Sequence, residues 1–254
     1  MVIFQYDKTF DGLLSCLFEA YRRKIFPDLL LGQGEALPLF CEGVHRIVTD
    51  EVKAGRVWAG LKRRLSASAL ASLPVCWLSE LPEVDGRIFR YMRKNFDASG
   101  SQEVNFGDPD VLALAKIYRK VQHECERLVQ FARFQRAADG VYLAFFEPLY
   151  NVLPLAVEHF SDRFSDQKWM LYDRKREYGY YYDLETVQEM KMEFEPGCVA
   201  DGRLQKSVQD ADEEFWQQLW KTYFKSVAIE ERRNPRLHKQ NMPVRFWKYL
   251  TEKQ

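Results

Sequence analysis

Residues 131–183 read FARFQRAADGVYLAFFEPLYNVLPLAVEHFSDRFSDQKWMLYDRKREYGYYYD, and this stretch decides the fold. Two apolar segments flank Asp139-Gly140, a dipeptide that favours a tight hairpin turn. Two more flank the charged turn at 174–177, and residues 152–164 between the two pairs have helical spacing. We therefore expect an α+β protein whose antiparallel sheet is built largely from two hairpins, at about 131–147 and 168–183, with helices packed on it.

The N-terminal half is expected to be mostly helical. Residues 2–6 predict a first strand, and residues 40–48 are a second candidate for extended structure. Apolar residues recur at helical spacing in the segments 9–24, 50–65, 66–78 and 84–95.

The segment at 97–110, DASGSQEVNFGDPD, is the clearest linker because it combines Gly, Ser, Asp and Pro. We expect a single unit over 1–254. A possible division separates a mostly helical part at 1–100, which contains the first strand, from a helix-hairpin-helix-hairpin-helix part at 108–254.

Two helices are strongly indicated. Asp108-Pro109 begins the first, because Asp caps helices and Pro is favoured at the first helical position. Its apolar spacing favours one buried stripe over a short intermolecular coiled coil. The closing helix, at 210–227, has acids at its start and lysines near its end. Its wide apolar face is expected to be buried and consists of Phe215, Trp216, Leu219, Trp220, Tyr223 and Val227.

Composition narrows the class of protein. The 254 residues carry a formal net charge of zero, which argues against coating of nucleic acid over the whole surface and leaves room for a local patch. The five cysteines are scattered and include no CxxC pair, so we expect neither a disulfide framework nor a zinc knuckle. A reducing, cytoplasmic location fits best, and no signal peptide or membrane-spanning segment is indicated.

The tail at 231–249, ERRNPRLHKQNMPVRFWKY, is a local excess of positive charge with interleaved rings. Cations that neutralise phosphates, together with stacking rings, can hold nucleic acid. The candidates for this contact are Arg232, Arg233, Arg236, Lys239 and Arg245. Phe246 and Trp247 are expected to dock the end of the chain on the core, with the cations facing outward.

The second hairpin is a further candidate for nucleic-acid contact. Tyr178, Tyr180 and Tyr182 share one strand face, and the adjacent turn carries cations. In one interpretation the rings stack on bases and the cations contact phosphates. In the other, the tyrosines pack against the neighbouring strand and the turn is solvated. The residues in question are Tyr180, Lys175 and Arg176. Arg133, in the first hairpin, either lines a groove or faces water.

Catalytic and metal motifs are weak in this sequence. Asp173 and Glu147 lie at predicted strand ends, where carboxylates act in some enzymes but also simply terminate strands. No two of the four histidines have ligand spacing, and no P-loop, GxGxxG or GxSxG is present. We expect no metal and no cofactor. The absence of CxxxCxxC argues that the chain is not itself a radical S-adenosylmethionine enzyme.

Three segments carry a family resemblance: YDKTFDGLLSCLFEAY at 6–21, RFQRAADG through EYGYYYD at 133–183, and ERRNPRLHKQNMPVRFWKYLTE at 231–252. Together they resemble a bacterial family of DNA metabolism proteins, a domain of unknown function encoded beside a radical S-adenosylmethionine protein. Some members are fused to a uracil-DNA-glycosylase-like domain. The resemblance implies a role in DNA repair or modification as companion to another catalyst, and it supplies no catalytic residue.

Three functions follow as hypotheses. The leading one is a DNA-binding accessory protein that acts with a radical S-adenosylmethionine partner enzyme. The second is a nuclease or base-processing hydrolase that uses Asp173 or Glu147 beside Arg133, Lys175 and Arg176. The third is a protein–protein adaptor without nucleic-acid contact, which exposure of the apolar face at 210–227 would favour.

Overall fold

A three-stranded parallel sheet begins the chain in the computed structural model, which describes residues 1–192, 194, 197–200 and 202–253. Its strands are β1 (Val2–Tyr6), β2 (Leu29–Gly32) and β3 (Gly43–Arg46), in the order β2-β1-β3. Helix α1 (Phe10–Arg23) connects β1 to β2. β1 and β3 lie in the two segments that were expected to be extended, 2–6 and 40–48, whereas β2 was not expected. β2 was not expected because its short sequence, LLLG, does not alternate between apolar and polar residues, although its burial does alternate.

Four further helices follow. They are α2 (Glu51–Lys62), α3 (Ala67–Trp77), α4 (Val84–Asp97) and α5 (Pro109–Phe131). The Asp50 side chain accepts a hydrogen bond from the Lys53 backbone amide at 3.0 Å and caps α2. Ser66 caps α3 in the same way, and Pro109 begins α5 after Asp108. These start signals could be read from the sequence because capping is a local interaction.

The five-stranded sheet of the C-terminal half contains both predicted hairpins. Its strands are β4 (Gln135–Arg136), β5 (Tyr142–Phe146), β6 (Trp169–Asp173), β7 (Tyr178–Tyr182) and β8 (Val187–Met190), in sequence order. The pairs β4–β5 and β6–β7 are antiparallel, as predicted.

The expectation of an antiparallel sheet is wrong for the central pair of strands. β5 and β6 are parallel, with Ala144 opposite Leu171, because helix α6 (Leu153–Arg163) carries the chain back to the same edge. β8 was not predicted. Its polar sequence, VQEM, gives little strand signal at the edge of a sheet. The mixed content of helices and strands is consistent with the α+β class.

The remaining elements are short apart from one helix. A small hairpin joins β9 (Val199–Ala200) to β10 (Arg203–Leu204). Helix α7 (Glu213–Ser226) and helix α8 (Pro235–Asn241) follow, with 3-10 turns at Glu230–Arg232, Val244–Tyr249 and Thr251–Lys253. As expected, the end of the chain docks on the core: Phe246 and Leu250 are buried against Phe131.

The apolar face of α7 corrects another expectation, because it is exposed rather than buried. Phe215 is 63% exposed and Trp216 is 58% exposed, and Leu219, Tyr223 and Val227 are also exposed. The helix instead turns its mixed side inward, where Glu213 is buried and Phe224 is half-buried.

The chain divides into two compact units, Met1–Gln122 and His123–Gln254, and helix α5 runs from one into the other. The single unit over 1–254, with its possible division between 100 and 108, stays a prediction. Among the described residues, no helix combines the length and the apolar character needed to cross a membrane.

Gly179 tests the packing of the second hairpin. A Cβ at this position would overlap the carbonyl oxygen of Leu171 on β6. We expect Gly179→Ala to lower the free energy of unfolding by about 1–3 kcal/mol, since the strand backbone must shift. Gly55, inside α2, has open space around it, so Gly55→Ala is expected to be neutral or stabilising by about 0.5–1 kcal/mol. Urea unfolding followed by circular dichroism measures both, and equal effects would contradict the packing.

Candidate nucleic-acid interface

The predicted cations of the tail lie on and beside α8. Asn234 caps this helix by accepting a hydrogen bond from the Leu237 backbone amide at 3.1 Å, and Pro235 occupies its first turn. The residues that the structure places here with exposed side chains are Arg232, Arg233, Arg236 and Lys239.

Arg233 and Lys239 contribute to a concave site, which we call the Trp247 cavity. Its volume is about 600 Å³, within the range of small-ligand sites. The residues that line it are Phe224, Lys225, Ala228, Ile229, Arg233, Asn234, Pro235, His238, Lys239, Trp247 and Lys253. Four of these are Lys or Arg, and none of the described lining residues carries a carboxylate. The cavity therefore combines concentrated positive charge with aromatic walls.

The aromatic walls are held in place by local contacts. The Trp247 indole Nε1 donates to the Met242 carbonyl oxygen at 3.0 Å. His238 stacks on the Trp247 ring with a centroid distance of 5.7 Å and an interplanar angle of 27°. Lys253 Nζ lies 5.4 Å from the centroid of Trp247 and 5.2 Å from that of Phe224. Trp247 is anchored as expected, and its half-buried ring also lines the cavity.

Electrostatics in the cavity favour an anion. Burial lowers the pKa of His238, and the charges of Lys253 and Arg233 lower it further. Burial also lowers the pKa of Lys253; Glu252 opposes that change and Arg233 adds to it. Like charges are thus crowded around His238 and Lys253.

Arg133 lies elsewhere, in an ion pair with a buried carboxylate. Its Nη2 is 2.6 Å from Glu252 Oε1, and the Glu252 side chain is 1% exposed. Trp220 Nε1 donates to Glu252 Oε2 at 2.9 Å. The Glu252 carboxylate therefore connects α7 with Arg133, which lies just after α5. Arg133 therefore fastens the end of the chain.

Arg245 also contacts a buried carboxylate. Its Nη2 donates to Glu124 Oε2, and Glu124 Oε1 accepts from the Leu149 backbone amide at 2.9 Å. The guanidinium lies 4.6 Å from the centroid of the Phe246 ring. This predicted phosphate contact is thus occupied within the protein.

Asp173 organises the turn of the second hairpin. It is fully buried and accepts from the backbone amides of Lys175 at 2.9 Å and Arg176 at 3.2 Å. Arg176 Nη1 donates to its other oxygen at 2.7 Å. Lys175 is exposed. The Tyr180 hydroxyl donates to Glu189 at 3.1 Å, and burial followed by the charge of Glu189 raises the Tyr180 pKa to about 12.

Glu147 follows β5, next to the end of β6 where Asp173 lies. It forms ion pairs with Lys248 at 2.6 Å and Arg174 at 3.6 Å. Burial raises its pKa, but the hydrogen bonds of Lys248 and Tyr249 and both cations lower it, so the net shift is downward. A general base or acid near neutral pH needs a pKa closer to 7. The ion pairs of Glu147 therefore do not favour a role for it as a general acid or base.

Sequence reasoning missed several residues of the Trp247 cavity. Lys225 looked like a cation that complements the α7 dipole, Lys253 lies beyond the basic tail, and His238 had been weighed only as a metal ligand. Phe224 and Lys225 reach the cavity from α7, so no spacing pattern connects them with Trp247. Among the described residues, no group of three or more His, Cys, Asp and Glu is arranged to hold a metal ion.

A family model for a domain of unknown function, DUF4130, matches residues 82–252. The chain belongs to the DUF4130 family. No curated protein matches it. One solved structure that resembles it is a pGpG-specific phosphodiesterase from Vibrio cholerae, with 11% sequence identity, 89% of this chain and 99% of that chain covered, and a TM-score of 0.32. A likeness at that TM-score supports no conclusion about activity.

The DUF4130 match includes Trp247 and every tail cation predicted from the sequence, while Lys253 follows its last residue. The match agrees with the expected domain of unknown function. The roles in DNA metabolism, the radical S-adenosylmethionine neighbour and the glycosylase fusion stay predictions from resemblance.

Glu252 should make the stability of the fold depend on pH, through its ion pair with Arg133 and its hydrogen bond from Trp220, which together we call the Glu252 bridge. Burial raises the Glu252 pKa, but hydrogen bonds from Arg133 and Trp220 outweigh it, so the pKa lies below the ordinary 4.5. A depressed pKa stabilises the fold above the unfolded-state pKa, and this stability is lost as pH falls through the folded-state pKa. We expect Glu252→Gln to cost about 1–3 kcal/mol of unfolding free energy near pH 7 and progressively less below pH 4.5.

Urea unfolding across this pH range measures the difference. Glu214→Gln is the matched control, because Glu214 pairs with Lys206 at 2.8 Å on the exposed surface and its loss should leave stability close to that of the wild type. A loss of unfolding free energy in Glu252→Gln that stays constant from pH 7 to below pH 4.5 would contradict the assigned bridge.

Proposed function

We propose that this chain is a DNA-binding accessory protein of DNA repair or modification that acts with a radical S-adenosylmethionine partner enzyme. The observation that carries the proposal is the Trp247 cavity, where four cations and three rings converge without a carboxylate among the described lining residues. Phosphate neutralisation and ring stacking are the two contacts that hold nucleic acid without reading its sequence. DNA as the polyanion, and the partner enzyme, come from the family resemblance.

The arrangement suggests how a strand is bound. In this proposal Lys225, Arg233 and Lys239, which line the cavity together, contact phosphates of the strand, and a base packs against the ring wall formed by Trp247 and His238. Arg232 and Arg236 continue the positive charge on the exposed surface of the same segment. A base can stack on a protein ring only when its own face is open, so the cavity favours unpaired DNA over duplex.

Charge reversal tests the proposal. Arg233→Glu combined with Lys239→Glu should weaken binding of a fluorescently labelled single-stranded oligonucleotide by at least about tenfold. The salt dependence should also change, because each lost phosphate contact lowers the slope of log affinity against log salt by about 0.7. Fluorescence anisotropy over a salt series measures both quantities.

The matched control reverses two exposed cations elsewhere in the same unit, Arg163→Glu with Lys168→Glu. This variant carries the same change in net charge and should bind like the wild type. Wild-type affinity in the Arg233/Lys239 variant, or equal losses in both variants, would reject the cavity as the DNA site.

The exposed face of α7 favours a second candidate function, that of an adaptor that docks the partner enzyme. Monomeric proteins rarely leave several large apolar side chains exposed on one surface. This helix exposes Phe215, Trp216, Leu219, Trp220, Tyr223 and Val227. Its last turns also supply Phe224 and Lys225 to the Trp247 cavity, so a docked enzyme would lie beside bound DNA.

Copurification tests the adaptor function. The chain carrying Trp216→Ser with Leu219→Asp should lose capture of the co-expressed radical S-adenosylmethionine protein, because charge replaces apolar contact at the centre of the face. Gln218→Asp with Thr222→Asp alters exposed polar residues of the same helix and should retain capture. Capture by the first variant at the wild-type level would exclude the face as the docking surface.

A further inference from the structure

A second cavity, within the first unit, has the chemistry of an anion site. Its volume is about 530 Å³. Three arginines and three rings line it, namely Arg22, Arg56, Arg63, Phe18, Tyr21 and Phe96. None of its described lining residues is acidic. We call it the arginine cavity.

Positive charge exceeds negative charge around this cavity. Arg22 Nη2 lies 2.6 Å from Glu19 Oε2, but Glu19 also binds Arg23 at 2.9 Å and Lys53 at 3.1 Å, and of these three cations only Lys53 has a second carboxylate, Asp50 at 3.3 Å. Arg56 and Arg63 are exposed, and within the described chain neither has a carboxylate at ion-pairing distance. Two guanidinium groups thus remain available to an anion.

Aromatic surface lies beside these guanidinium groups. Arg56 is 5.1 Å from the centroid of the Phe18 ring, and Tyr21 meets Phe96 edge-to-face at 6.0 Å. A Cβ at Gly60 would lie 2.9 Å from the Phe96 ring, so glycine at this position of α2 lets the ring sit against the helix. The rings form the apolar wall of the cavity.

Helix-dipole complementation explains only part of this cluster. Arg22 lies in the last turn of α1 and Arg63 caps the end of α2, where cations are ordinarily favoured. Arg56 lies in the middle of α2 and gains nothing from the dipole. Its place over Phe18, facing the same cavity, points to a ligand.

We propose that the arginine cavity binds a phosphorylated ligand with a flat ring, of mononucleotide size. The guanidinium fork matches phosphate oxygens bidentately, and the volume suits one nucleotide. The ligand is either a free nucleotide or the phosphorylated end of a strand. Its lining residues between 17 and 63 precede the DUF4130 match at 82–252, and Phe96 lies within the match. The cavity shares no lining residue with the Trp247 cavity, so this site goes beyond the function proposed for that cavity.

Isothermal titration calorimetry tests the site, with deoxyadenosine monophosphate as the probe. The titrations use the full chain carrying Arg233→Glu and Lys239→Glu, so that the Trp247 cavity does not contribute. The probe should bind at least about tenfold more tightly than inorganic phosphate or deoxyadenosine, because only the nucleotide engages both cations and rings. Adding Arg56→Gln and Arg63→Gln should weaken it by at least about tenfold.

The matched control adds Lys62→Gln and Lys116→Gln, which remove the same two charges at exposed positions of the same unit outside the cavity lining, and should bind the probe normally. Unchanged thermal midpoints show that the variants fold. A 5′-phosphorylated oligonucleotide that binds where its unphosphorylated form does not identifies a strand end, and binding by the nucleotide alone identifies a free ligand. Absence of nucleotide binding, or equal loss in the control, would overturn the proposal. Neither result depends on whether the unaltered chain binds DNA through Trp247.

Discussion

The candidate interface depends on one buried carboxylate. Glu252 accepts hydrogen bonds from Arg133, just after α5, and from Trp220 on α7, so it fastens the last residues of the chain to two separate segments. Lys253 follows Glu252 directly in the last 3-10 turn, and Trp247 lies in the preceding 3-10 turn. Phe246 and Leu250 also hold this end against Phe131, but Glu252 is the residue that links it to α7, which supplies Phe224 and Lys225 to the cavity. The ion pair of Glu252 with Arg133 therefore helps to position residues of the positively charged Trp247 cavity.

The sequence predicted the parts of the fold that local interactions determine. Asp139-Gly140 marked the first hairpin, and Asp50 and Ser66 marked the starts of two helices, because turns and caps are formed by neighbouring residues. The parallel pairing of β5 with β6 was missed because the turn residues determine only the pairing within each hairpin. They do not determine whether the two hairpins pair with each other in a parallel or an antiparallel direction. That choice depends on the path of α6, which no short pattern records.

The sequence identified cations of the candidate site but not the ion pairs that other cations of the same appearance form. Arg233 and Lys239 were identified from the basic tail and do line the Trp247 cavity. Arg133 and Arg245 have the same appearance in sequence, yet they bind carboxylates that lie 119 and 121 residues away. Long-range ion pairs therefore place Arg133 and Arg245 outside the cavity, and the sequence does not show these pairs. The exposed apolar face of α7 shows the same limit, since amphipathic spacing indicates a face that needs a partner without naming the partner.

Photo-crosslinking of a bromodeoxyuridine-substituted single strand, followed by peptide mapping, identifies the part of the chain that contacts DNA. We expect crosslinks to the peptide that contains His238 or Trp247, since both rings line the cavity. Crosslinks confined to the hairpin turn at 174–177, or to the first unit, would contradict it.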